Sequence, residues 1–407
     1  MTAPGDRPGR FLRWWYPWAF WEQCLLIYPV YALLIEDSGI DPVAIASLFM
    51  VWSVAAFIAE VPSGVLADRF PRHRVLLAGA LLRASAFSVW LLAPTYSGFF
   101  AGFVLWGVAS ALHSGTRQAL LYEHLEQAGV RERFQHCWGR TNALHSAGGA
   151  TALAIGGFVA QWNMAAPLVA SIALSLASAL VAGCFFAADR RPVAAGHDRP
   201  AMLRQLKLGI HEALSRRVVL IAVVALALAP VAINAYEEFV PLFLRERDAT
   251  LAQIGMIFAF VYLGHVAGAV LSERLDPVHE RSGYRGALVW MLFGGSALAA
   301  AAALPGWWSV AGLLAAFFAW GVFSVSLQAR LQQAIRDRSR ATITSLASFG
   351  ELGSAQLVYL GIGFAGLAAG WAGATLMAGC LLIAITLALA LGVRLGLCAE
   401  HTSAAGS

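Results

Sequence analysis

The sequence predicts an all-α integral membrane protein of twelve spanning helices, arranged as two pseudo-symmetric bundles of six. Three observations lead there. Of the 407 residues, 59% are hydrophobic and only 13% charged, with a mean hydropathy of +0.68. A soluble chain of this length cannot cover its surface with so few charges, so lipid is the solvent for most of it. Second, the apolar residues fall into twelve runs near the ~20 residues that a spanning helix needs. Third, a short motif occurs twice, G-V-L-A-D-R-F at Gly64–Phe70 and A-V-L-S-E-R-L at Ala269–Leu275. Two copies at a constant offset imply two equivalent halves.

The runs fall at 14–35, 43–66, 75–94, 98–121, 141–161, 165–187, 218–243, 252–272, 285–304, 308–329, 342–367 and 371–395. They divide the chain into a polar tail (1–13), a six-helix bundle (14–187), a polar linker (188–217), a second bundle (218–398) and a short polar tail (399–407). Residues 1–13 lack a small-residue cleavage site, so the first helix is expected to be the insertion signal. With the N-terminus in the cytoplasm, the inward loops carry Arg69, Arg72 and Arg74, Arg131 to Arg140, Arg190 to Arg217, Arg274 to Arg285 and Arg330 to Arg340. The outward loops carry only Arg245 and Arg247. This positive-inside pattern puts both termini in the cytoplasm. The net charge of +5 is thus a topology signal and not a nucleic-acid footprint. Of 28 cationic residues only Lys207 is lysine, which suggests a GC-rich bacterial genome; the expected location is a bacterial inner membrane. The five cysteines (Cys24, Cys137, Cys184, Cys380, Cys398) show no CxxC or metal-ligand spacing, so neither a metal nor a cofactor is expected.

The aromatic stretch Trp14 to Trp21 reads as an interfacial anchor at the entrance of the first helix. Glu22 follows nine residues after Arg13, about 13 Å into the bilayer at 1.5 Å per residue. Ionisable groups at that depth face a cavity or a partner. Glu60 and Arg83 lie at matched depth on the second and third helices, which predicts a buried structural ion pair. Arg117 enters the fourth helix about 9 Å from its cytoplasmic edge, within reach of the interface or of a substrate. Gly148, Gly149, Gly156 and Gly157 mark a closely packed fifth helix. In the linker, apolar residues recur at helical spacing between basic ones, predicting an amphipathic helix on the inner leaflet. Glu237 and Glu238 end the seventh helix near the outer edge, where a wet vestibule is the default reading and a substrate or cation contact the alternative; with Glu22, Arg117 and Glu351 they are the substrate and proton candidates. Ser345, Ser348, Glu351 and Ser354 stand three apart and form one polar ridge. Glu351 sits roughly 16 Å deep, near the midplane.

Gly64, Asp68, Arg69 and Arg72 follow the pattern G-x-x-x-D-R-x-G-R and so resemble the helix 2–3 loop of the major facilitator superfamily. Pro71 and His73 depart from that pattern. The loop after helix 4, with Arg133, Phe134, Gly139 and Arg140, resembles that of a bacterial drug-exporter-like branch, with Glu123 in place of that branch's aspartate. The glycine-proline of the exporters' helix 5 signature is replaced by Ala152 and Leu153. The resemblance implies two bundles rocking about a midplane site. It implies Glu22 and Arg117 as cavity residues, Glu351 as an interface residue and Arg83 as a structural one. It also places the conformational-switch residue Asp68, with Arg72, beside the N-terminus of helix 11 near Ser339–Thr342. The resulting expectation is a monomeric, proton-coupled antiporter that effluxes a small organic molecule, with membrane lipids as surroundings. The alternative is a proton-coupled importer of a sugar, organic acid or metallophore. A third reading, a sensor or membrane enzyme, would call for a soluble domain or a compact catalytic cluster, and His113, His145 and His265 stand on separate helices.

Overall fold

The computed structural model describes residues 7–186, 217–275, 285–334 and 340–404, and the regular structure in them is helical. The amphipathic helix expected in the linker lies outside the described residues. So do residues 276–284 of the second loop motif and Ser339. The chain separates into two compact units, Met1–Ala195 with Ala249–Ala259, and Gly196–Asp248 with Phe260–Ser407.

The first unit holds α1 (Arg7–Gln23), α2 (Tyr31–Asp37), α3 (Pro42–Arg69), α4 (Arg72–Leu92), α5 (Tyr96–Gln127), α6 (Phe134–Trp162) and α7 (Ala166–Phe185). Within it α5 packs on α3 and α4, α4 on α7, and α1 on α6 and α7. The second unit holds α8 (Arg217–Glu237), α9 (Val240–Glu246), most of α10 (Leu251–Leu275), α11 (Arg285–Ala303), α12 (Trp307–Ala334) and α13 (Arg340–Ala404). Here α8 packs on α13 and α12, and α11 on both of those. Large apolar side chains such as Leu92, Trp162, Leu180, Val270 and Leu357 lie exposed on helix faces, as lipid-facing residues do.

Nine described helices are long and apolar enough to cross a membrane singly, and α8 with α9, bent by 50°, makes a tenth span. Two further elements are broken, and counting α13 as two spans and α1 with α2 as one is consistent with the twelve expected. The helix α13 is two helices joined at Ala369 and Gly370, where Gly370 takes φ 68°, a left-handed conformation natural to glycine. Glu246 Oε2 accepts from Ala372 N at 3.0 Å, a carboxylate on the N-terminal turn of the second helix.

The first span is likewise two segments, α1 and α2, separated by a non-helical stretch at Cys24–Val30. Pro29 has no N–H to continue the helix and biases the residue before it away from the α region. The freed backbone finds partners inside the unit: Ile27 N donates to Ser171 Oγ at 3.0 Å. The seventh span repeats the device. It breaks at Glu238–Phe239 with Pro241 just beyond. Both breaks lead to a left-handed turn, at Gly39 (φ 77°) and Asp248 (φ 60°). Each then leads to a capped helix: Asp41 accepts from Val43 N and Ala44 N, and Thr250 forms a capping box with Gln253. The internal repeat therefore extends beyond the loop motif to the interrupted helices.

Two expectations are corrected at the N-terminus. Residues 7–13, read as tail, are the opening turns of α1, because Phe11 is buried and stacks on His124 with ring centroids 3.8 Å apart. The tryptophans are not all anchors. Trp15 Nε1 donates to Thr141 at 2.9 Å and Trp18 Nε1 to Ser178 at 2.8 Å, both in the core, while Trp14 and Trp21 point outward. At the other end, residues 399–404 continue α13. On α6, a Cβ at Gly148 would collide with the Phe20 carbonyl, and one at Gly156 with that of Leu26. These two glycines are what let α6 lie directly on the first span. Arg247, one of the two outward cations, donates to the carbonyls of Ala302 and Leu304 at the end of α11, where a cation offsets the helix dipole.

Candidate functional site

Glu22 lies in the last turn of α1, immediately before the break, with 3% of its surface exposed. A carboxylate at a helix C-terminus meets the negative end of the dipole, and a buried one needs partners. Three helices supply them. Arg83 of α4 donates from Nη1 to Glu22 Oε1 at 2.8 Å. Arg117 of α5 reaches Oε2 from Nη1 at 3.3 Å. His113 of α5 places Nδ1 3.1 Å from Oε1, and His145 of α6 places Nδ1 3.3 Å from Oε2. His113 and Arg117 are four residues apart and therefore share one face of α5.

The surroundings hold these groups in place. Arg83 Nε donates to Ser175 Oγ at 3.2 Å, and Ser175 in turn donates to Ser171 O at 2.8 Å, which orients it from α7. His113 Nε2 lies 3.0 Å from Leu76 O. The ring fits there because residue 79 is glycine: a Cβ would sit 2.8 Å from His113 Nε2. Both nitrogens of His113 thus lie against oxygen atoms, which ties α5 to α4 and to the end of α1. His145 differs. Its Nδ1 lies 2.9 Å from Arg117 Nη1 as well as near Glu22. With Nδ1 bare it accepts from Arg117, and in the other tautomer Nδ1–H donates to Glu22. One carboxylate against two guanidiniums leaves the cluster with a single positive charge when both imidazoles are neutral.

These residues border a cavity of ≈ 140 Å³, with Gln23, Leu25, Tyr28, Trp106, Ser110 and Ser114 completing its wall. Two histidines and a carboxylate would suit a metal by type. The guanidiniums occupy the carboxylate oxygens instead, and no group of three ligands fit to hold a metal occurs among the described residues.

Glu60 is not part of this arrangement. It was expected to pair with Arg83, but it is exposed on α3, and Arg83 is engaged by Glu22 and Ser175. Helical rise sets depth, whereas each residue also turns the side chain by about 100°, and that rotation faces Glu60 outward. Of the loop motif, Gly64, Asp68 and Arg69 are exposed in the last turns of α3. Arg72 opens α4, and its Nε donates to Glu123 Oε1 at 2.7 Å.

In the second unit, Glu237 is the last residue of α8 and Glu238 lies in the break, both half-buried. Glu351 of α13 is half-buried with Asn234 of α8 in hydrogen-bonding reach. Tyr359 lies in the electrostatic neighbourhood of Glu237 and Glu238. Ser354, three residues along the ridge, donates to Ala227 O and so serves packing of α13 on α8; the side chain of Ser345 is outside the described set.

The profile of the Major Facilitator Superfamily matches residues 23–358. No curated protein matches the sequence. Among solved structures, the chain is similar to the nucleoside transporter NupG, at 12% identity and a TM-score of 0.75, over 94% of this chain and 99% of that one. It is similar to a bacterial homolog of the human lysosomal transporter Spinster, inward-facing and unoccupied, at 14% identity and a TM-score of 0.70, over 98% and 97% of the two chains. A D-xylose-proton symporter aligns at 14% identity and a TM-score of 0.68, over 94% and 96%. At such identities the likeness is one of fold.

Proposed function

The chain belongs to the major facilitator superfamily and is a multi-pass secondary transporter rather than an enzyme, and on that basis we propose that it exports a small organic molecule in exchange for protons. The observation that carries this reading is the Glu22 cavity, where a buried carboxylate on the interrupted first span meets two arginines and two histidines from three further helices. Interrupted helices at corresponding places in two repeats are where such folds keep their substrate and ion sites. Glu22 and Arg117 are the substrate contacts. The proton carrier is Glu351, because a carrier must lose and regain its charge during the cycle. Glu22 has two guanidiniums on its oxygens, whereas the neighbour of Glu351 is an amide. Glu237 and Glu238 would serve the same cycle as acidic groups at the second break. Arg83 anchors Glu22, and Gly64, Asp68, Arg69 and Arg72 form the switch loop.

The protein would act as a monomer in a bacterial cytoplasmic membrane with both termini inside. A second reading, proton-coupled import, is favoured by the likeness to a proton symporter and by Ala152 and Leu153 on α6. Everted membrane vesicles separate the two. A labelled panel of an organic anion, an organic cation and a neutral amide is offered to vesicles acidified inside. Export by exchange is expected to give uphill accumulation of one class that stops when a protonophore is added. Accumulation only with the gradient reversed would establish import, and accumulation indifferent to the gradient would remove proton coupling altogether.

A further inference from the structure

The Glu22 cavity contains donors that the protein leaves without acceptors. Arg83 spends Nη1 on Glu22 and Nε on Ser175, and its Nη2 has no partner although the side chain is only 5% exposed. Arg117 engages Glu22 and His145 through Nη1, and its Nε is buried and unpartnered. Buried donors almost always have acceptors, and an unmet charged one points to a missing group. The charge balance says the same, since two guanidiniums face one carboxylate. Of the contacts to Glu22, Arg117 makes one of the two longest, at 3.3 Å, and with 20% of its side chain exposed it is the more accessible arginine. It is free to turn toward a second acceptor while Arg83 and His113 keep Glu22.

We infer that the carried molecule presents an anionic oxygen group (carboxylate, sulfonate or phosphate) to Arg117 and Arg83, with a small apolar body against Trp106 and Tyr28. This rests on reading the cavity as the substrate site. A guanidinium fork matches such a group with paired charge-assisted bonds. A cationic ligand would meet net positive charge, and a neutral one would leave the guanidinium protons unmet. The space is ≈ 140 Å³ and open on one side, which suits a small molecule.

The test uses the purified full chain in nonionic detergent and equilibrium dialysis with tritiated benzenesulfonate, a permanent anion. Benzenesulfonamide and phenyltrimethylammonium are the neutral and cationic comparators. Benzenesulfonate should bind saturably, about ten-fold or more tightly than either comparator, as loss of a charge-assisted pair implies. Arg117→Gln should lose that preference and Arg117→Lys keep part of it, with the melting temperatures of both close to wild type. Arg83 is left intact because its variants risk the fold. Equal binding of all three probes, no saturable binding of benzenesulfonate, or an unchanged Arg117→Gln would each overturn the inference. The same probes in acid-loaded liposomes keep the two readings apart. If the ammonium ion is accumulated while benzenesulfonate does not bind, exchange transport stands and the anion class falls. Binding of benzenesulfonate without gradient-driven movement of any probe would leave the anion site standing and remove proton-coupled transport.

Discussion

Arg83 Nη1 meets Glu22 Oε1 at 2.8 Å, with 5% and 4% of the two side chains exposed. The contact joins α4 to the end of α1, so it ties the interrupted first span to the rest of its unit. Its loss would strand a charge in a low-dielectric site, at a cost of about 3–5 kcal/mol. Glu22→Gln should therefore lower the melting temperature of the detergent-solubilised protein well beyond Glu60→Gln, whose exposed side chain should matter by no more than about 0.5 kcal/mol. Equal shifts for the two variants would show that Glu22 is not the structural partner.

Gly79→Ala should act on the site without touching a charge. The added methyl would press on His113 Nε2 from 2.8 Å, so the ring must leave Leu76 O and with it Glu22. Overpacking of this kind costs about 1–3 kcal/mol. Transport should fall with it, and His113→Ala placed on the Gly79→Ala background should recover part of the stability. No recovery would mean that the methyl clashes elsewhere.

Ser178→Ala should leave Trp18 Nε1 buried without an acceptor, destabilising by about 1–3 kcal/mol, whereas Trp21→Phe on the outward face should be close to neutral. The comparison in thermal melts separates the core tryptophans of α1 from its lipid-facing ones.

Much of this was legible in the sequence, and the parts that were not have physical reasons. Length and apolarity locate spans because the bilayer imposes them. Breaks are harder to see. Pro29 and Pro241 mark them, yet Pro17, Pro62 and Pro230 lie inside helices, since membrane helices tolerate proline when neighbours satisfy the freed groups. Depth brought Glu22 and Arg117 to notice but could not choose between Glu22 and Glu60 for Arg83, because depth carries no azimuth. His113 and His145 were missed as site residues: a single histidine in an apolar helix reads as an ordinary core residue. The available signal was the four-residue spacing of His113 and Arg117, which puts an imidazole and a guanidinium on one face.

Glu351→Gln should abolish gradient-driven accumulation while sparing exchange of labelled for unlabelled substrate, because exchange needs no net protonation cycle. Glu22→Gln, where it folds, should weaken both. Full pH-driven transport by Glu351→Gln would remove it as the carrier and shift attention to Glu237 and Glu238 at the second break.

Coupling itself is tested most directly with wild-type protein in liposomes acidified inside. Uptake of tritiated benzenesulfonate, benzenesulfonamide and phenyltrimethylammonium is followed with and without an ionophore that collapses the pH gradient. The expected result is uphill accumulation of benzenesulfonate, absent from protein-free liposomes and lost at once when the ionophore is added. Accumulation that proceeds unchanged after the gradient is gone, or no accumulation of any probe above protein-free liposomes, would contradict proton-driven exchange.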